Sequence, residues 1–375
     1  MFILLLTLIF TRPFIASVAF TYSNAVHSLL LAALLTAWFI TRQPPWQKIK
    51  TIKYPLLLFI AALALSVFFS QDKINSLKAL YQYAIAIALF ILVSSLGKEE
   101  KIYLVYTIII SAFTISLWAI YQYFFGLQRT LEYINKAQID NPLFFDYLSR
   151  RRVFSPFINP NILGEYLGIT LILVIGIRNK LWIILPILSA IILTKSLGGL
   201  LSTLVACVLY FYLTGSLTGK KIILLLGLLL TILIIFIVRW RQGIQHTHLT
   251  FSWGMRLSYW RDALDLIKHR PLTGMGLGNF NIVPSRYAHN SYLQLWAETG
   301  VFGLISFLWL VTAVFTPALK ALRWLKEKKL YACLIASCSV FLLHNLMDFS
   351  FFLPEVAFIW WIVLGMLWTA PLDDR

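Results

Sequence analysis

The sequence predicts an all-α, polytopic membrane protein with about twelve transmembrane helices. Of its 375 residues 60% are hydrophobic and 13% charged, and the mean hydropathy is +0.80. A hydrocarbon core about 30 Å thick takes roughly 20 apolar residues per helix, and this chain supplies one such run after another between short polar breaks. The runs are continuous, as in KKIILLLGLLLTILIIFIV at 220–238. A membrane β-barrel alternates apolar and polar residues in short strands, so that architecture is excluded.

Taken in order, the expected spans are 2–20, interrupted near Pro13, then 24–41, 54–70, 74–96 and 102–125. A polar segment of about 126–160 follows, and then 161–177, 181–194, 197–213 and 221–238. A second polar segment, about 239–290, carries a surface helix between spans nine and ten, with 291–317, 330–346 and 354–370 beyond it. The whole, 1–375, reads as a single integral membrane domain with these two segments as loops within it. No small-residue cleavage site follows the first run, so a removable signal peptide is not expected.

Orientation comes from alternate loops. Arg42, Lys48, Lys50 and Lys53 fall on one side, with Lys98, Lys101, Arg178, Lys180, Lys220, Lys221, Lys320, Arg323, Lys326, Lys328 and Lys329. The positive-inside rule makes that side cytoplasmic, with both termini inside and both polar segments outside. It also accounts for much of the net charge of +17, so no nucleic-acid partner is expected. Cys207, Cys333 and Cys338 all lie in apolar runs and read as buried thiols.

The outer segments are themselves basic, against the insertion bias: Arg150, Arg151 and Arg152 in one, Arg256, Arg261, Lys268, Arg270 and Arg286 in the other. An anionic partner at the outer surface accounts for this, because the guanidinium fork matches phosphate. In the expected helix 255–268, Leu257, Trp260, Ala263, Leu264 and Ile267 form an apolar stripe, and Arg256 falls inside it. Such an arginine either snorkels from a helix start or is aimed at a ligand. The following PLTGMGLGNF has no strand before it and so is no dinucleotide loop; it reads as a tight turn back to the membrane.

His289 stands at the mouth of span ten, and Glu298 lies further along the same helix, where an acid marks either function or a buried pair. An imidazole there is suited to act as a general base near neutral pH. Asn159 is placed to cap span six, with Pro160 in its first turn. Lys195–Ser196 and the group His344, Asn345 and Asp348 form short outer turns that either line the same cavity or hold helices together. Glu132, Asp140 and Asp146 are scattered and Asp373–Asp374 lies inside, so no metal site and no cofactor is expected.

On these residues the chain resembles the O-antigen ligase and O-antigen polymerase family of bacterial envelope enzymes. The patches are Arg152-x-x-Ser-x-Phe-x-Asn159-Pro160-Asn161, then Arg256-x-x-Tyr259-Trp260 with its Gly-rich turn, then His289-Asn290-x-Tyr-Leu with Glu298-x-Gly300 and Gly303. Thr194-Lys195-Ser196-Leu197-Gly198 is similar to the family's Thr-x-Ser-Arg-Gly turn, with Leu197 in place of the arginine. The resemblance implies a GT-C-like fold in the bacterial inner membrane with its active site facing the periplasm. It implies inverting, metal-independent transfer of a glycan from an undecaprenyl diphosphate donor to a lipid A–core or other glycan acceptor, within membrane lipid.

In that reading His289, Arg256 and Arg152 are catalytic, and Arg151, Asn159, Asn161, Tyr259, Asn290 and Glu298 bind substrate. A repeat-unit polymerase or a protein O-oligosaccharyltransferase shares the donor chemistry. A lipid-linked glycan transporter would call for internal repeats and ionisable groups near the midplane, which the sequence does not offer.

Overall fold

The structure, a computed structural model, describes residues 1–42, 49–138, 142–177, 180–246, 248–281, 285–322 and 328–373. Lys48, Asp140, Arg178, Arg323, Lys326 and Asp374, named above, lie outside the described residues. Among the described residues the chain is helical, with no strand. It is a polytopic, multi-pass membrane protein.

The helices are α1 (Phe2–Thr11), α2 (Thr21–Thr41), α3 (Lys53–Phe69), α4 (Lys73–Ser95), α5 (Lys98–Tyr121), α6 (Leu127–Lys136) and α7 (Pro142–Ser149). They continue as α8 (Pro160–Ile177), α9 (Leu181–Thr194), α10 (Leu197–Thr214), α11 (Gly219–His246) and α12 (His248–His269). The last are α13 (Ser291–Ala321), α14 (Lys328–His344) and α15 (Pro354–Asp373).

Among the described residues eight helical stretches are long and apolar enough to cross a membrane, and Phe2–Phe14, Leu181–Thr194 and Pro354–Thr369 are shorter apolar helices. In the stretch Gly219–Val238 the mean hydropathy reaches 3.1, yet only 6% is buried within the protein, a surface that hydrocarbon solvates and water does not.

Three boundaries differ from expectation. The first run is α-helical only to Thr11, because Pro13 tightens the chain into a 3₁₀ turn over Arg12–Phe14. The fifth span does not end near 125. A π-helical turn, Gln122–Gly126, joins it to α6, so much of the segment 126–160 is itself helical. The surface helix begins at His248, and its packed face is rotated from the expected stripe. Tyr259, Ala263 and Ile267 are buried whereas Leu257 and Leu264 are exposed, since the i, i+4, i+8 row is the one that meets α13.

The described residues gather into two compact units, each discontinuous in sequence: 1–27, 98–235 and 332–344 in one, 28–97, 236–331 and 345–375 in the other. In the first, α8 is the central post. Its residues from Ile162 to Val174 are buried on every side, and α9, α10 and α5 pack around it. In the second, α15 plays that part against α4, with Trp360 and Trp361 fully buried, while α3 lies along α13.

Candidate active site

The second unit gathers Arg256, Tyr259, His289, Asn290 and Glu298 around the start of α13, and a kink in that helix explains how. Gly300 has φ 70 and ψ 179, a backbone region essentially closed to residues with a Cβ. The break diverts α13's own hydrogen-bonding groups toward the Gly-rich turn. Met275 N donates to Ala297 O, Gly276 N to Glu298 O, and Val301 N to Pro271 O.

The Glu298 side chain completes the join. One carboxylate oxygen accepts from Gly278 N at 2.9 Å and the other from Gln294 Nε2 at 2.9 Å. Small hydroxyls from α3 and α4 bind the two sides of the join: Ser66 Oγ donates to Glu298 O of α13 at 2.7 Å and Ser76 Oγ to Leu277 O of the turn at 2.7 Å. At Gly274, φ 71, an added Cβ would lie 2.3 Å from the Glu298 backbone. The acid in an apolar helix therefore meets its hydrogen-bonding requirement within the protein, holding the turn that follows α12.

His289 precedes α13 with φ 51, a left-handed conformation uncommon outside glycine. The turn is locked on both sides. The Asn290 side-chain oxygen caps α13, accepting from Tyr292 N and Leu293 N, and Gln294 Oε1 accepts from Ala288 N. The imidazole stacks on Tyr259 with centroids 5.6 Å apart and 18° between planes, and meets Phe349 edge-on at 4.8 Å. Its Nδ1 is buried without a hydrogen-bond partner.

Burial pulls the His289 pKa down to about 4. The Asp348 carboxylate works against that and the Arg256 guanidinium adds to it. The ring is therefore neutral at pH 7, with a cation and an anion both in electrostatic reach. Burial also raises the Tyr259 phenol, which stays protonated.

The first unit holds the other candidates. Arg152 is buried and splayed between two acceptors: Nε donates to Thr194 O at 2.9 Å, and one terminal nitrogen to Asn161 Oδ1 at 2.7 Å. Its guanidinium also sits 5.4 Å from the Tyr147 ring. Asn159 caps α8, accepting from Asn161 N at 2.8 Å, and so presents Asn161 to Arg152. Arg151 is exposed and lies over Tyr123 at 4.6 Å, while Arg150 pairs with Asp146 at 2.8 Å. The three arginines thus have separate environments, and only Arg151 is exposed.

Because Arg152 spans two acceptors through its fork, Arg152→Lys should lower the thermal midpoint measurably. Arg151→Lys should leave it within about a degree. Differential scanning fluorimetry of the two purified variants checks this.

Sequence reasoning missed the Glu165–His344 pair of the first unit, 2.9 Å apart with both residues buried. The signal was available, since Glu165 is an acid inside an apolar run, as Glu298 is. It also missed Ser70, Ser76 and Asn279, whose mutual hydrogen bonds seat the Gly-rich turn, and Ser66, which donates to Glu298 O. Asn345 holds structure together: its side-chain oxygen accepts from Phe351 N, and its backbone oxygen from Ser291 N.

Residues 167–308 match the family model described as O-Antigen ligase. Over this stretch the chain is similar to the O-antigen ligase family. It includes Arg256, Tyr259, His289, Asn290 and Glu298, and it begins after Arg152, Asn159 and Asn161. No curated protein matches the chain.

Proposed function

We propose that the protein is an O-antigen ligase-like glycosyltransferase. It moves a glycan from undecaprenyl diphosphate to a hydroxyl of lipid A–core oligosaccharide at the periplasmic face of the bacterial inner membrane, and the chain works as a single integral membrane domain. The observation that carries this reading is His289. It is a neutral imidazole on a locked backbone, stacked on Tyr259 and electrostatically coupled to Arg256, inside the stretch that matches the O-antigen ligase family model.

The chemistry is a single displacement. The acceptor oxygen attacks the anomeric carbon, the bond from that carbon to the diphosphate oxygen breaks, and the configuration inverts. The acceptor proton passes to His289, and undecaprenyl diphosphate leaves. Arg256 offsets the charge that gathers on the diphosphate. An anion bound beside Arg256 also offsets that cation's pull on the imidazole, so donor binding strengthens the base.

The purified protein in liposomes, given lipid-linked glycan and lipid A–core, should form the glycan–core product without an added energy source. A deletion strain should accumulate polymer on the carrier lipid. Transfer of a single repeat unit to the core in that strain would instead identify a polymerase.

The pH profile supplies a second test. His289 must be unprotonated to act, and its pKa lies near 4, so kcat/KM should stay level down the acid side through pH 6.5 and fall only near pH 4. Arg256→Met removes a charge that lowers the pKa and should move that limb upward. A wild-type limb at 6.5 would mean that His289 is not the group titrating.

A further inference from the structure

The second unit holds an open-mouthed cavity of about 230 Å³ that the transfer chemistry above does not use. Two helix faces wall it at helical spacing: Ala79, Tyr83 and Ala86 of α4, and Pro354, Ala357 and Trp361 of α15. Phe280 and Tyr287 of the preceding loop close a third side, and Gln294 and Glu298 of α13 a fourth. The lining residues of α13 and α15 lie toward the ends where those helices begin.

Two polar atoms on this wall are unexplained by the protein. The Tyr83 hydroxyl and the Gln82 side-chain oxygen are buried with no hydrogen-bond partner, and Tyr83 is only 8% exposed. Such groups are costly to leave unmet, so an occupant that hydrogen-bonds to them is called for.

The lining decides the class of that occupant. An isoprenoid chain would leave both atoms unsatisfied. A phosphate would meet the Glu298 carboxylate, against a single cation at the rim, Arg286. Flat aromatic walls with scattered hydroxyl, amide and carboxylate groups suit a neutral ring with an apolar C–H face and a hydroxylated edge.

The position relative to His289 is also specific. The order of rings is Tyr259, His289, Phe349, Tyr287: Tyr287 stacks on Phe349 at 4.1 Å and 10°, and Tyr287 lines the cavity. The imidazole is therefore joined to Tyr259 of α12 by direct stacking and to the cavity through Phe349 and Tyr287.

We infer that this cavity is a pyranose subsite for the acceptor, holding a neutral sugar residue next to the one whose hydroxyl reacts, with Tyr83 and Gln82 hydrogen-bonding to it. This rests on the transfer reading above, in which the donor diphosphate lies on the Arg256 side of the base.

The test is ligand-observed saturation-transfer NMR on the full chain in nanodiscs. The probes are methyl β-D-glucopyranoside, methyl α-D-mannopyranoside and methyl N-acetyl-β-D-glucosaminide, with farnesol as an apolar competitor. At least one glycoside should receive saturation. Tyr83→Phe should weaken that binding about threefold to tenfold, the loss of one hydrogen bond. It should not disturb folding, because the hydroxyl it removes has no protein partner.

His289→Ala should bind the glycoside as the wild type does. If no glycoside binds, if Tyr83→Phe binds equally well, or if farnesol displaces the glycoside, the subsite is wrong. Transfer that still depends on His289 would in those cases leave the broader reading standing. Conversely, Tyr83-dependent binding in a protein whose transfer survives His289→Ala would sink the general-base role and keep the sugar site.

Discussion

His289→Ala should reduce glycan transfer by about 10²- to 10⁴-fold, the usual cost of losing a positioned general base. The protein should still insert, and its thermal midpoint should hold within a few degrees. The expectation rests on the ring's surroundings. His289 has no buried hydrogen bond through Nδ1 to lose, and its contacts are the face of Tyr259 and the edge of Phe349.

The backbone needs its own control, because residue 289 has φ 51. Asparagine tolerates that conformation better than most residues, so His289→Asn keeps the turn while removing the base. Both variants should be equally inactive in the liposome assay and should bind the lipid-linked donor as the wild type does. Loss in the alanine variant with activity retained in the asparagine variant would show that the turn, and not the imidazole, matters.

The sequence made the spans legible because hydrophobic runs of membrane length leave few alternatives. Their ends needed the structure. Gln122 could not be read as the start of a π-helical turn, since its side-chain oxygen is used by Phe154 N and Ser155 N, more than thirty positions away in the chain. The candidate residues Arg152, Arg256, His289 and Glu298 stood out as polar groups in or beside apolar surroundings.

Their roles were not equally visible. Glu298 and Asn290 turn out to spend their side-chain oxygens on Gly278, Gln294 and the first turn of α13. Asn161 spends its own on Arg152. These are positioning contacts made across loops, and neither periodicity nor composition records them. The serines seating the Gly-rich turn were invisible for the same reason: a serine in an apolar helix commonly bonds its own backbone, and only the fold brings Ser66 and Ser76 to residues more than 200 positions away.

Gly300→Ala should be the most damaging substitution that touches neither charge nor substrate. Alanine does not adopt φ 70 with ψ 179 without a cost of order 1–3 kcal/mol. In addition its Cβ would fall 1.9 Å from Leu272 O, so the turn over 271–278 must move. That displacement breaks the bonds from Met275 and Gly276 to the kinked helix and pulls Gly278 N from Glu298.

The expected result is a thermal midpoint lower by several degrees and transfer reduced more than tenfold, with His289 and Arg256 both still present in the chain. Gly227→Ala is the matched comparison. Nothing lies within 4 Å of a Cβ there, and the residue is helical, so alanine should be neutral or slightly stabilising. If Gly300→Ala behaved like Gly227→Ala in both assays, the join between the Gly-rich turn and the broken helix would not be what positions the site.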